Sequence, residues 1–338
     1  MAIFLGNIWS ELVTRRGLVA LAHEFGEVTG NWLDGRHRRE VPRRGDGVLL
    51  APSSMASAVT PKQMDVAASV VTWILFPDQM LGWDFAAQRY RLSAHPVLLE
   101  ATESSRCVVA NSGYTQANVL RAGLNRLTGV LYPRVDATGV FAEARRSRRE
   151  VESEPVHVLW SHMWRTQKDP LAALTIACIV LEEAPCRLTI GRAESWTDEE
   201  HNPEEFKVLV REKLRLLRAR FGSRLVVLPA WPRQEDYWNF LGTVDVSYSC
   251  SREESFGLAL AEHASAGAAC VAPRNLSYPE VHSYADLAEP TESGIATAIL
   301  SLVRDRARRR EVAASCASGA RRHDVGTWPQ EVRRLTLL

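Results

Sequence analysis

The sequence predicts an α/β protein built from two Rossmann-like domains. Three observations lead there. Strand-like and helix-like segments alternate strictly through the second half, as parallel sheets with helical crossovers require. The first half holds a similar set of short apolar runs. A charged stretch without apolar periodicity, RRSRREVESEP (145–155), separates the two. The 338 residues also favour two domains over one. The expected boundaries are 1–148, 149–324 and a tail, 325–338, that packs back on the first domain. Two such domains leave a cleft, and ligands in open α/β sheets sit beyond the carboxyl ends of the strands.

In the first half, GVLLAP (47–52), VVTWILFP (70–77), CVVANS (107–112) and GVLYP (129–133) read as buried strands. Helical segments are expected near 10–25, 95–104 and 113–122. In the second half, VHVLW (156–160) reads as a strand. A helix follows from Pro170 to Leu181, with Asp169 as its N-cap and proline at the first position. RLTIG is the next strand. Asn202-Pro203 starts a helix with Phe206, Leu209, Val210, Leu214, Leu217 and Phe221 on one face. RLVVLP is a strand, Gln234–Leu241 a short helix and VDVSYS a strand. SREESFGLALAEHASAG then gives a helix starting around Phe256-Gly257, with Ser255 as cap and Gly267 as stop, before the strand ACVA.

Composition narrows the function classes. The net charge is +1, so the whole molecule is no electrostatic trap for nucleic acid. The six cysteines form no CxxC pair and sit largely in apolar runs, which fits reduced, buried thiols in a cytoplasmic protein rather than a zinc site; no metal is expected. No signal peptide opens the chain, and no apolar run approaches the roughly 20 residues of a membrane span. There is no GxGxxG after a strand and no GxxxxGK[ST], so dehydrogenase and P-loop readings drop out. Only Lys62, Lys168, Lys207 and Lys213 are lysines among 41 basic residues, which directs attention to Lys168.

The segment after VDVSYS holds the main candidate chemistry. A helix start offers free N–H groups and a positive dipole end, a ready anion site. Gly257 lets a phosphate approach the backbone closely. Glu254 precedes the helix, and Glu262 lies five residues into it, roughly 7.5 Å along the axis. One anion site therefore has a carboxylate on either side. A nucleotide sugar offers a diphosphate for the N–H groups, a ribose diol for one carboxylate and sugar hydroxyls for the other. The same residues also fit a capped amphipathic helix with two surface glutamates.

The spacing E-x-F-G-x(4)-E, Glu254 through Glu262, resembles the signature of retaining glycosyltransferases with the GT-B fold, two Rossmann-like domains facing each other across a cleft. NSGYTQANVLRAG (111–123), YPRVD (132–136) and LPAWPRQEDYWNFLGTVDVSYS (228–249) are similar to flanking segments of that family. WSHMWRTQKDP (160–170) and the run from Asp236 to Glu280 resemble the tRNA-queuosine mannosyltransferase group, which uses GDP-mannose and a nucleoside in tRNA. The close likeness covers about 155–285; the first 150 residues resemble the group weakly.

The resemblance implies that Glu254 contacts donor-sugar hydroxyls and that the Ser255-Phe256-Gly257-Leu258 backbone faces the diphosphate. It implies that Glu262 accepts from the ribose, that Lys168 pairs with the phosphates, and that Ala230-Trp231-Pro232 lines the base. Bond breaking then leaves charge on a nucleoside diphosphate, stabilised without a metal or other cofactor by the lysine and the helix start. The co-substrate is a GDP-sugar, with a UDP-sugar as the alternative. Two positions depart from the group. Met163 stands where the group has arginine, and a thioether offers neither charge nor a donor; Arg165 is offset by two. Phe76-Pro77-Asp78-Gln79 stands where the group has F-H-E-N-Q, leaving Asp78 and Gln79, with Gly6 and His162, on the acceptor side.

Three readings stay open. The acceptor is a tRNA nucleoside or a small molecule such as a bacterial secondary metabolite. Alternatively, Met163 marks a non-catalytic nucleotide-sugar-binding partner protein. The basic run RHRREVPRR (36–44) either meets tRNA phosphates or is a solvated loop, and RDRARRR (304–310) reads as a solvated helix face. Among ten tryptophans, Trp231 and Trp164 are candidates for stacking and Trp83 for the acceptor side; the others read as core.

Overall fold

A computed structural model describes residues 107–121, 127–147, 155–196 and 202–327, with 330, 331 and 334. In the first part of the chain it describes six strands as backbone: β1 (Ala2–Leu5), β2 (Glu27–Thr29), β3 (Gly47–Pro52), β4 (Ser69–Ile74), β5 (Leu81–Asp84) and β6 (Arg89–Leu92). With β7 (Cys107–Ala110) and β8 (Leu127–Val130) they form a parallel sheet of order β2-β1-β3-β4-β7-β8, while β5 and β6 pair as an antiparallel hairpin. The expected strand GVLYP is shifted, since β8 ends at Val130 before Pro133. Helix α1 (Gly113–Arg121; helices are numbered among the described residues) lies where expected. The expected helices near 10–25 and 95–104 fall outside the described residues.

Contacts divide the chain into one unit of Met1–Asp136 with His323–Leu338 and a second of Ala137–Arg322. This division falls before helix α2 (Ala137–Ser147), which covers the start of the expected 145–155 linker; residues 148–154 are outside the description. In the first unit, Val135 bridges Asp324, and Arg134 pairs with Glu331.

The second unit carries β9 (His157–Ser161), α3 (Pro170–Glu183), β10 (Arg187–Gly191), α4 (Glu204–Phe221), β11 (Leu225–Val227), α5 (Gln234–Leu241) and β12 (Val246–Tyr248). It continues through α6 (Leu258–Ser265), β13 (Ala269–Pro273), α7 (Tyr278–Val281), β14 (Asp286–Ala288), α8 (Glu292–Arg304) and α9 (Arg306–Ala320). Its sheet is all parallel with order β11-β10-β9-β12-β13-β14. Counted within this unit, that is 3-2-1-4-5-6, the dinucleotide-domain order, with its switch point between β9 and β12.

Local chemistry explains the elements. Strands β9 and β10 are buried on both faces, so they read as continuous apolar runs. Asp169 caps α3 by accepting from the Ala172 N–H at 3.0 Å, and Pro170 occupies the first turn. Helix α3 is apolar nearly all round, because the sheet, α4 and α8 enclose it. On α4 the buried stripe is Val210, Leu214 and Leu217, flanked by partly buried Phe206 and Phe221. Leu209, expected on that face, is exposed: it lies one residue, about 100° of helix turn, off the stripe. Cys186, Cys250, Cys270 and Cys316 are buried free thiols and Cys178 is half-buried.

Candidate functional site

Strands β9 and β12 are neighbours, with Val246 beside Val158 and Ser247 beside Leu159, so their carboxyl-end loops meet at the switch point. The loop after β9 forms a short 3-10 turn, Thr166–Lys168. The loop after β12 is pinned to it: the Gln167 carbonyl accepts from the Arg252 N–H at 2.8 Å and the Glu253 N–H at 3.3 Å, and Arg252 ion-pairs with Asp169. That clamp sets Lys168 against Glu254. Lys168 Nζ donates to Glu254 Oε2 at 2.7 Å and to the Glu253 carbonyl at 3.3 Å. Glu254 is only 8% exposed, so this is a largely desolvated charge pair.

Helix α6 begins next to this pair. Its N-cap is Gly257, not Ser255, and no side chain caps it. The first intrahelical bond runs from the Ala261 N–H to the Gly257 carbonyl, so the preceding amides of α6 lack intrahelical acceptors. Gly257 has φ of 86°, the left-handed region that disfavours side chains. A Cβ there would lie 2.8 Å from His282 Nε2. His282 is fully buried; its Nε2 donates to the Phe256 carbonyl at 2.7 Å, and its Nδ1 accepts from Tyr284 Oη at 2.7 Å. Burial pushes its pKa down to about 4, so the ring is neutral, with its one proton on Nε2 facing the Phe256 carbonyl. The Phe256 side chain is itself buried; what that residue can offer a ligand is its backbone.

Glu262 is half-buried on α6. Its Oε1 accepts from Trp238 Nε1 at 3.0 Å and from Gln234 Nε2 at 3.4 Å, both on α5. Burial raises its pKa, and those two donors partly offset the rise. Behind it runs a buried polar chain: Tyr237 Oη to His263 Nε2 at 2.7 Å, then His263 Nδ1 to Ser247 Oγ. Trp231 is half-buried, its ring 4.9 Å from those of Tyr237 and Phe240. It also lies over Gly191, where a Cβ would come within 3.0 Å of the indole. Pro232 is exposed beside it.

Lys168, Glu254, Ser255, Phe256, Gly257 and Leu258 thus come together at one loop junction, with Glu262 a turn further along α6 and Trp231 at the end of the β11 loop. Arg165 is half-buried at the start of the 3-10 turn. His162 follows β9 and is 3% exposed; burial first, then the Lys168 charge, lowers its pKa to about 3, and its Nε2 has no hydrogen-bond partner among the described residues. Trp164 is no stacking surface: it is fully buried, edge-on to Trp160 and Trp196, with Nε1 directed at the Gly191 carbonyl. Gly6, Asp78, Gln79, the Trp83 side chain and 36–44 lie outside the described residues. Among the described residues, no group of three or more His, Cys, Asp or Glu is placed to hold a metal ion, and no helix is long and apolar enough to cross a membrane.

Sequence reasoning missed three features. His282 wedges behind Gly257 from 25 residues downstream, a distance no local pattern encodes. Tyr278 Oη reaches Ser249 Oγ at 2.6 Å and Ser249 reaches Ser251 at 3.1 Å, bracing the floor of the Glu254 loop. Arg192 takes a left-handed backbone, φ 55°, directly after β10. Its one sequence signal was a basic residue at a strand's carboxyl end.

No protein-family model matches the chain. It is similar to the tRNA-queuosine alpha-mannosyltransferase of Drosophila melanogaster, 32% identical over 134 residues, which are 39% of this chain and 32% of that protein. The match therefore spans about a third of that relative's length. Among solved structures, apo OtsA superposes with a TM-score of 0.73 at 10% identity, covering 99% of this chain and 98% of that one. The UDP-forming alpha,alpha-trehalose-phosphate synthase of Burkholderia xenovorans in complex with glucose-6-phosphate gives 0.70 at 12% identity, over 98% and 82%. Sucrose-phosphate synthase of Thermosynechococcus elongatus gives 0.65 at 14%, over 90% and 76%. At these identities the likeness shows the fold alone: an α/β chain of GT-B type with two Rossmann-like domains.

Proposed function

We propose that this chain is a metal-independent, retaining glycosyltransferase that moves a hexose from a nucleotide diphosphate sugar, GDP-mannose in the first instance, to a hydroxyl of a nucleoside in tRNA. The observation that carries the reading is the Lys168–Glu254 pair at the β9/β12 switch point, beside an α6 start that no side chain caps. The second unit binds the donor. Its diphosphate lies on the first amides of α6, Glu262 accepts from the ribose, Trp231 and Pro232 flank the base, and Glu254 holds sugar hydroxyls. As the glycosyl C1–O bond breaks, the electron pair goes to the diphosphate, and charge builds where Lys168 and the helix dipole point. The acceptor hydroxyl passes its proton to the departing diphosphate oxygen and attacks the oxocarbenium-like sugar from the leaving-group side, which retains the anomeric configuration.

The mannosyltransferase relative supports mannosyl transfer to tRNA, and the GDP-mannose donor follows from the resemblance carried by the spacing of Glu254, Gly257 and Glu262. The trehalose- and sucrose-phosphate synthase likenesses favour a second reading, a UDP-sugar donor and a small-molecule acceptor. The test is transfer from GDP-mannose and from UDP-glucose, each offered queuosine-containing tRNA or small sugar and sugar-phosphate acceptors. Mannosylated tRNA, with turnover reduced about 10²–10³-fold in Lys168→Met, is the expected result. Transfer only to small acceptors selects the second reading. Donor binding without turnover under any condition selects a non-catalytic binder and contradicts both.

A further inference from the structure

Arg192 is the first residue after β10, and His162 the first after β9. Gly191 and Ser161 are register partners in these adjacent parallel strands, so the two residues lie side by side at the carboxyl edge. Arginine seldom adopts a left-handed backbone, and such strain concentrates at functional sites. The side chain is half-buried, yet among the described residues it makes no hydrogen bond and no ion pair. Among the described residues its five N–H donors are thus unspent, in a partly desolvated place.

The surrounding charges sharpen the point. Lys168, at the same edge, is already paired with Glu254 at 2.7 Å. Lys168 and Arg192 both act on the buried His162 ring, which places the two cations near one spot. The Arg192 charge also reaches Glu262 and Tyr237, so it faces the α5–α6 side of the edge. A nucleoside diphosphate brings roughly two to three negative charges, more than an already neutralised lysine and one helix dipole can balance. Met163, next to His162, adds none.

We propose that Arg192 binds the diphosphate of the nucleotide donor, sharing it with Lys168 and the amides at the start of α6. The proposal rests on the donor reading above. A guanidinium suits the task because its planar fork can hold two phosphate oxygens at once. Service as the counter-ion of Glu262 is the competing role, but Glu262 takes its hydrogen bonds from Trp238 and Gln234.

Calorimetric titration of the full chain with GDP, UDP, guanosine and uridine separates these roles. Arg192→Gln should weaken the diphosphates about 10–100-fold, leave the nucleosides unchanged, and flatten the salt dependence of diphosphate binding. Arg192→Lys, a point charge without the fork, should fall between. Arg192→Gly, which suits the left-handed backbone, serves as second variant should the glutamine protein fold poorly. Equal losses for nucleosides and diphosphates would assign Arg192 to Glu262 and overturn the proposal, as would unchanged diphosphate affinity. Unmodified protein that binds neither GDP nor UDP would sink the donor reading itself, and this inference with it.

Discussion

Gly257→Ala is a sharp test of how the α6 start is built. At φ of 86°, a side chain costs about 1–2 kcal/mol in backbone strain alone. The new Cβ would also lie 2.8 Å from His282 Nε2, far inside normal contact. The His282 ring cannot step back freely. It is fully buried and held by the Phe256 carbonyl on one side and the Tyr284 hydroxyl on the other, each at 2.7 Å. Losing one of these bonds and leaving a buried polar atom unsatisfied costs about 1–3 kcal/mol. The sum is about 2–5 kcal/mol. In a His282→Ala background the steric part vanishes and only about 1–2 kcal/mol of strain remains. Urea unfolding followed by tryptophan fluorescence reads this cycle, since Trp160 and Trp164 are fully buried in the same domain. Equal costs in both backgrounds would refute the wedge.

Two further outcomes follow from the titrating groups. Burial raises the Glu262 pKa, so the folded state binds its proton more tightly than the unfolded state does. Its contribution is most favourable at pH below the ordinary carboxylate pKa and is lost as pH rises through the folded value. Glu262→Gln should therefore raise the melting temperature at pH 7 while weakening GDP or UDP affinity about tenfold; unchanged affinity would return Glu262 to a structural role. His282 and His157 are lowered to about 4 and His162 to about 3, mainly by burial. These bases stay neutral in the fold but charge in the unfolded chain. Their stabilisation is full above pH about 6.5 and declines as pH falls toward 4, by up to about 1.4 kcal/mol per pH unit for each. A urea midpoint that does not move between pH 7 and pH 5 would contradict this.

The second domain was legible because buried parallel strands and capped helices leave strong local marks. Asp169-Pro170 announced α3, and the apolar runs of β9 and β10 announced the sheet. The Phe-Gly pair flanked by glutamates marked the candidate site through its spacing. Details set by tertiary contact were not legible. Ser255 is a good capping residue, but the chain turns at Gly257 because only glycine tolerates both the positive φ and the His282 ring behind it. Trp164 follows a strand end like a site residue, yet the aromatic packing of Trp160 and Trp196 encloses it. Arg192 sat in plain view after RLTIG, but the role proposed for it comes from β10 lying beside β9, and strand order is not a local property. Leu209 shows the limit of periodicity: one helix position separated a core stripe from solvent.

A nucleotide diphosphate is proposed to dock at the start of α6. A crystal structure of the chain with GDP or UDP tests it most directly. Phosphate oxygens should lie within hydrogen-bond distance of the α6 amides and of Lys168, with the ribose at Glu262. A nucleotide lodged elsewhere, or an α6 start closed by the protein's own side chains, would contradict it.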